Sequence, residues 1–562
     1  MVKTRKTYIR NILRICCVVF FVFLFSNVNA QSKVYAMTLV NSDHVTAAGL
    51  GHDGLLATKA DLVAKSNTLV FAGHDASIEL EFATQLAANT PTYVKITTED
   101  NLLGSLLGGS LGTLLSNVLG AVLTGNQEFV VEARLNLGTP LLSGSSTTAS
   151  QFGTDKLRIV QNSAGEYFIR IMPDQAYNRI KITNKVGNAL LGLGATRTLS
   201  VYDAYYVTGT IHCGEPAYTS FSAAGIISLA STGVTNAQNV LTTSTTDFSV
   251  LSMGLLALGS SIEQTVYYEG LSDAEDRFAI KIKTTHALLT AGIASNVSVI
   301  ASNGGTAVQT KTLSELIALN LLTITGGQIT TLYMTPGLPV DRITLRLNTA
   351  VSILQSLDFY GATKTPGLPL VNAAAPVCSG SAASLTATSV TSGAQFKWYD
   401  SPAATNLLAT TISGQAFATP ALNASATYYV QKIAGGCASL LESATAMVVG
   451  KPSSGTIEGM QTVCLTRLPT LLTSSSVESG VDISYRWESS TDQANWIQVA
   501  SSNTVSYQPP MLTQATFFRR ITIRTANGIA CESVPTSAVK VSTRNCVVMS
   551  NPMVRQRIKN GA

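Results

Sequence analysis

The stretch that decides the fold runs from Cys378 to Cys437. It contains Phe396-Lys397-Trp398-Tyr399, then Thr419-Pro420-Ala421-Leu422, then Thr427-Tyr428-Tyr429-Val430. The same order returns downstream as Cys464, Tyr485-Arg486-Trp487-Glu488, Pro509-Pro510-Met511-Leu512, Thr516-Phe517-Phe518-Arg519 and Cys531. Trp398 precedes Tyr428 by 30 residues, and Trp487 precedes Phe517 by 30; the two Cys–Cys separations are 59 and 67. Each unit holds short alternating strands broken by polar turns, the signature of a β-sandwich of about 80–90 residues. A Trp buried on a central strand gives so small a module its core.

These residues resemble the Ig-like modules found in tandem on secreted and cell-surface proteins of Bacteroidetes. The resemblance covers 376–450 and 455–543, with Phe517-Phe518 standing for the Tyr pair in the second copy. It implies spacing, display and adhesion, and it implies no catalysis.

Working outward, the N-terminal two thirds also read as a duplication. Ser77-Ile78-Glu79 returns as Ser261-Ile262-Glu263, and Tyr93-Val94-Lys95-Ile96 as Ala279-Ile280-Lys281-Ile282. Asn178-Arg179-Ile180-Lys181-Ile182 parallels Asp341-Arg342-Ile343-Thr344-Leu345, and Val201-Tyr202-Asp203-Ala204-Tyr205 echoes Leu357-Asp358-Phe359-Tyr360. The order is shared while the offset drifts, which points to insertions in surface loops. Segments such as Glu128-Phe129-Val130-Val131-Glu132-Ala133-Arg134 alternate apolar and polar, as half-buried antiparallel strands do. The chain therefore reads as all-β: a leader at 1–30, jelly-roll-like sandwiches at 31–209 and 210–370, Ig-like domains at 376–450 and 455–543, and a basic tail at 544–562. The sandwiches join near 209–216.

A second resemblance lies in the second sandwich. Asn236-Ala237-Gln238-Asn239, followed by Thr245-Thr246-Asp247-Phe248-Ser249, is similar to the early loop of discoidin-like, galactose-binding-like jelly rolls. Gln238-Asn239-Val240 replaces the usual x-Asp-Gly, and in the first copy only Asp53-Gly54 matches it. The resemblance implies ligand display of the kind used to hold sugars or surfaces.

The segment 102–123, LLGSLLGGSLGTLLSNVLGAVL, is uncharged, with leucines recurring near every fourth residue. That spacing predicts helical turns capping the first sandwich, weakened by five glycines at about 1 kcal/mol each. Membrane insertion or self-association is the alternative. Residues 313–322 are its expected smaller analogue.

Composition bounds the rest. Charged residues are 12% and hydrophobic residues 46% of 562. Five of the 37 Lys and Arg (Lys3, Arg5, Lys6, Arg10, Arg14) precede an apolar run at 15–25 and a Val28-x-Ala30 cleavage pattern. That is a secretory leader, with no transmembrane helix expected in the mature chain. Without those five, 32 basic residues balance 32 acidic ones, which excludes the basic footprint of a nucleic-acid binder. The location expected is extracellular or at the outer cell surface. Export permits disulfides. Each Ig-like repeat holds its own pair, placed before the Trp strand and after the aromatic strand, so the bridges expected are Cys378–Cys437 and Cys464–Cys531. Cys213 and Cys546 then stay unpaired in the monomer, available for an intermolecular bridge.

Chemistry is sparse. No HExxH, GxSxG or phosphate loop occurs. His44, His52 and His74 accompany Asp43, Asp53 and Asp75, and read as solvated pairs in loops, with a metal site as the alternative. Asp273, Glu275 and Asp276 read as a polar turn, with calcium the one cofactor they raise. Glu79 and Glu263 recur, unpaired as acid and base. Tyr205, Tyr206 and Tyr360 are the aromatic candidates for stacking on sugar rings; core packing is the competing reading. No catalytic, cofactor or metal residue is assigned. The function expected is a non-enzymatic exported adhesion or glycan-binding protein whose Ig-like modules act as a stalk. Its expected partners are an extracellular glycan or a surface protein. A structural subunit of an extracellular assembly and a secreted glycoside hydrolase with accessory domains are the alternatives.

Overall fold

Strand β7 (Gln127–Arg134) buries every second residue, with Phe129, Val131 and Ala133 inward and Glu128, Glu132 and Arg134 outward, and the same alternation builds most of the chain. The computed structural model describes residues 32–546 apart from 69–70, 100–101, 109–126, 149–150, 153, 188–193, 225–231, 254–260, 285–293, 321–325, 349–355 and 501. The leader, most of segment 102–123 and most of the tail lie outside the described residues. The chain divides into two compact units. One comprises residues up to 368 together with 390–394 and 432–440; the other holds the remainder.

In the first unit, one five-stranded sheet has the order β2 (Thr38–Asp43), β5 (Ala76–Leu86), β11 (Tyr177–Val186), β7, β8 (Leu142–Ser145). Another has the order β14 (Thr232–Thr235), β15 (Ser249–Met253), β22 (Ser356–Thr365), β17 (Arg277–Lys283), β20 (Ile329–Met334). A 12-stranded sheet faces both. Its order is β19 (Thr306–Thr312), β18 (Val297–Asn303), β21 (Arg342–Asn348), β16 (Ser261–Tyr267), β13 (Tyr218–Ala224), β9 (Leu157–Gln161), β10 (Tyr167–Ile171), β6 (Thr92–Thr98), β12 (Thr196–Thr208), β4 (Ala60–Lys65), β3 (Val45–Thr46), with β1 (Ser32–Tyr35) on β12.

The duplication is written in these orders. Strands β2-β5-β11-β7-β8 of the first repeat correspond one for one to β13-β16-β21-β18-β19 of the second. Strands β3-β4-β12-β6-β10 correspond to β14-β15-β22-β17-β20. Each repeat encloses its own apolar core, one around Ile78, Phe129 and Ile180, the other around Ile262, Ile280 and Phe359. The halves are nevertheless not separate sandwiches. The back sheet of the first repeat runs into the front sheet of the second through β9, where Gln161 pairs with Thr219.

Two sequence matches shift by two residues. Lys181 faces Glu79 while Arg346 faces Glu263, so Lys181 corresponds to Arg346 rather than to Thr344. A β-bulge interrupts β12 between Val201 and Asp203, and the matching irregularity on β22 falls between Phe359 and Gly361. Tyr202 therefore corresponds to Tyr360, and Asp203 to Gly361. A two-residue slip keeps every side chain on its own face, so hydrophobic pattern alone does not expose it.

Of segment 102–123, the described part holds a helix, Leu102–Leu107, that buries Leu103, Leu106 and Leu107 in the first repeat's core. The helix Leu313–Leu319 occupies a different chain position. The first lies between β6 and β7, whereas the second follows β19, the counterpart of β8.

In the first Ig-like module Trp398 is fully buried, stacked on Phe417 at 5.2 Å, and donates from Nε1 to Thr411 Oγ1. In the second, Trp487 is buried beside Tyr507 and Phe518 and donates to the Thr504 carbonyl. The bridges differ from the sequence expectation. They are Cys213–Cys437, Cys378–Cys531 and Cys464–Cys546, with Cα separations of 5.7, 5.5 and 5.4 Å. Cys213 and Cys546 are therefore both paired. The reason lies in strand direction. Cys378 sits beside Val449, while Cys437 opens the strand Cys437–Ala446 that leads toward it. At about 3.3 Å per residue that strand alone holds the two apart by far more than a bridge spans. Cys464 likewise sits beside Arg544, next to Cys546, and Cys531 lies at the opposite end of its sheet.

Candidate functional site

The residues singled out by sequence scatter. Tyr205 and Tyr360 are core side chains, and Tyr206 is half-buried against Phe82. Tyr205 and Tyr218 hydroxyls meet each other and Glu269 Oε1, to which Lys33 also pairs at 3.2 Å. This knot, stacked with Tyr93, seals the junction of the repeats. Beside it Arg170, fully buried, pairs with Asp341 and donates to the Asp155 carbonyl, so each repeat supplies one charge. Burial pushes Tyr93 up to about 12.

Asp53 and Gly54 form a tied loop. Asp53 accepts from Thr58 and the Leu55 N–H, and the Gly54 N–H donates to Asp203 at 2.7 Å. Burial pushes the Asp203 carboxyl up to about 7, against the pull of hydrogen bonds from Gly54 and Ala204. In the second repeat Asn236, with φ 53°, leads into a 3₁₀ turn, Ala237–Leu241, and the Asn239 amide donates to the Phe248 carbonyl. Both early loops are held by side-chain hydrogen bonds to backbone groups.

His44 and His74 do meet, with ring centroids 3.7 Å apart and Asp43 2.9 Å from His44 Nδ1. Among the described residues no group of three or more His, Cys, Asp or Glu is placed to hold a metal ion. Asp273, Glu275 and Asp276 diverge. Asp276 accepts from the Asp273 N–H and contacts His212 at 3.2 Å, while Glu275 turns to Lys432. Glu263 accepts from Arg346 and Ser222, and Glu79 faces Lys181.

The site that sequence reading missed is an open cleft of about 640 Å³ beside β17 and β20. Arg277, at the start of β17, lays its guanidinium 3.8 Å from the ring centroid of Tyr333 on β20. Stacking fixes the plane of the guanidinium over the ring. Glu275 accepts from Lys432 Nζ at 2.7 Å and from the Val390 N–H at 3.0 Å, anchoring the segments 390–394 and 432–440 to the same unit. Gly367 is required here, since a Cβ on it would lie 1.8 Å from the Glu275 carbonyl oxygen. Leu319, Leu368 and Val390 are exposed on the rim. Arg277 and Tyr333 are 56 residues apart and join only through the β17–β20 pairing. No local motif announces them.

Residues 366–450 match the family model described as an Ig-like domain, CHU_C associated. Residues 453–545 match a domain of unknown function, DUF8696. No curated protein matches the chain. Among solved structures it is similar to a β-1,2-glucanase from Parabacteroides distasonis, at 11% identity and TM-score 0.21, covering 60% of this chain and 38% of that one. It is similar to murine CEACAM1b at 12% identity and TM-score 0.18, covering 31% and 100%. It is also similar to the FN1–FN3 domains of chicken CNTN1 at 11% identity and TM-score 0.19, covering 53% and 97%.

Proposed function

We propose, from a chain whose last third is a pair of Ig-like modules, that the protein is an exported, non-enzymatic adhesion protein of the cell surface that binds glycan through its duplicated N-terminal sandwich. The observation that carries the reading is the Arg277–Tyr333 stack in an open cleft with an apolar rim. Tyr333 and the exposed Leu319, Leu368 and Val390 offer apolar surface to the face of a sugar ring. The class favoured is therefore a polysaccharide. Disulfides in all three Cys pairs accord with export. The carboxylates that recur in the duplication, Glu79 and Glu263, face basic partners, so the acid–base pair of a glycoside hydrolase has no support from them.

The test is a glycan array probed with the mature chain, with and without calcium. The reading expects glycans to bind and Tyr333→Ala to lose at least tenfold in affinity. Absence of binding in both conditions overturns it.

A further inference from the structure

The two five-stranded sheets end differently at the edges that correspond to the join between the repeats, and the difference exposes a docking edge. In the second repeat, β13 is covered by β9. Thr219 pairs with Gln161 and is fully buried, and the Phe221 carbonyl accepts from Arg158 Nη2 at 3.2 Å. The counterpart of β13 in the first repeat is β2. Aligning Glu79 with Glu263 places Leu39, which faces Leu80, on Phe221, which faces Gln264. Continuing that register toward the N-terminus places Met37 on Thr219. Yet Met37 is 57% exposed, and β2 is the last strand of its sheet. Met37 also lies over the Gly54 turn, its Sδ 3.8 Å from where a Gly54 Cβ would stand, next to Leu55, which is 55% exposed. Among the described residues this edge is unpaired, and an unpaired edge flanked by two exposed apolar side chains is a template for a further strand.

The corresponding edge of the other five-stranded sheet is approached by a helix. The strand β20 corresponds to β10, which β9 covers in the first repeat. At the chain position of β9 the second repeat carries the helix Leu313–Leu319 instead, opened by a capping box between Thr312 and Glu315. Asn320, which caps it, donates from Nδ2 to the Tyr333 carbonyl of β20. The helix thus stands where the next joining strand would start.

We propose that the outer edge of β2 is a docking site for an extended strand donated by a partner protein, one with the chemistry of β9: alternating apolar side chains and an arginine. The molecule itself shows what such an edge takes, because the same edge one repeat on is met by β9 (Leu157–Gln161), through the Gln161–Thr219 pair and Arg158 on the Phe221 carbonyl. A second copy cannot supply that strand, since both edges of its β9 already pair with β10 and β13.

The probe is a fluorescent peptide of residues 155–164 added to the full mature protein, with anisotropy as the readout. The expected result is saturable binding, at least tenfold weaker for Met37→Lys and abolished when alternate backbone nitrogens of the peptide are methylated. A photoreactive version is expected to label residues 37–43. Four results overturn the proposal: no saturable binding, binding indifferent to both changes, label on 218–224 through displacement of the native β9, or concentration-dependent self-association that Met37→Lys removes, which would assign the edge to a second copy.

Discussion

The two N-terminal repeats share a strand order and differ where they meet other things. The first ends its back sheet in β9, a strand that carries the sheet onward; the second places a capped helix there. The first puts Asp203 at its bulge, bonded to the early loop; the second puts Gly361 there, with φ 103°. The lesson is that the repeat fixes the sheets, while function and assembly are decided at the positions where the copies disagree. The join is head-to-tail, back sheet to front sheet, a heterologous arrangement that continues until something stops it.

The sharpest way to break the comparison is at the join. Arg170→Met leaves Asp341 buried without its partner, and the first unit is expected to lose about 3–5 kcal/mol in a denaturant titration. The double variant Arg170→Met with Asp341→Leu is expected to recover most of that loss, because both charges are then gone. A loss confined to one repeat's amide protection would deny that the join holds both.

Next in size is the bulge. Gly361→Asp makes the second repeat imitate the first, but a Cβ there lies 2.3 Å from the Val240 carbonyl oxygen on a backbone favoured by glycine. A loss of at least about 2 kcal/mol is expected from thermal unfolding. The helix comes third. Thr312→Ala removes the side-chain half of the capping box and is expected to cost about 1 kcal/mol, read as faster amide exchange in 313–319.

The last effect is a slope with pH. Asp203 has a folded pKa of about 7, above its ordinary value of about 3.9. The neutral acid is the form the fold favours, so its contribution is complete below pH about 4 and fades as pH rises to about 7. Stability of the first unit is expected to fall across that window, and Asp203→Asn is expected to flatten the fall. At the matching position the second repeat carries Gly361, so Asp203 has no counterpart there.

The Trp strands, the alternation and the order of the duplicated segments were legible in sequence because each is a local pattern imposed by burial. Trp398 and Trp487 could be placed in cores from spacing alone. The partners of the cysteines could not. Which Cys meets Cys378 depends on which end of a ten-residue strand lies beside it, and that is set by register and direction rather than by composition. Tyr205 and Tyr360 looked available because their strands end near loops, yet Tyr205 is buried among Tyr93, Phe168 and Tyr218 at the junction of the repeats, and Tyr360 packs on Phe248. Arg277 and Tyr333 were invisible for the same reason as β9: strand neighbours far apart in the chain carry no mark of each other.

The overlapping bridges give the chain a mechanical property. Suppose the protein is pulled from its two ends, as a surface anchor and a bound target would pull it. Between Cys213 and Cys546 lie 333 residues, which fully drawn out would reach about 1,100 Å. Force instead crosses from Cys213 to Cys437 and from Cys464 to Cys546, leaving 27 residues, or about 90 Å, of extensible path. Along this path the C-terminal half can lengthen under load by no more than that stretch, unless a covalent bond breaks.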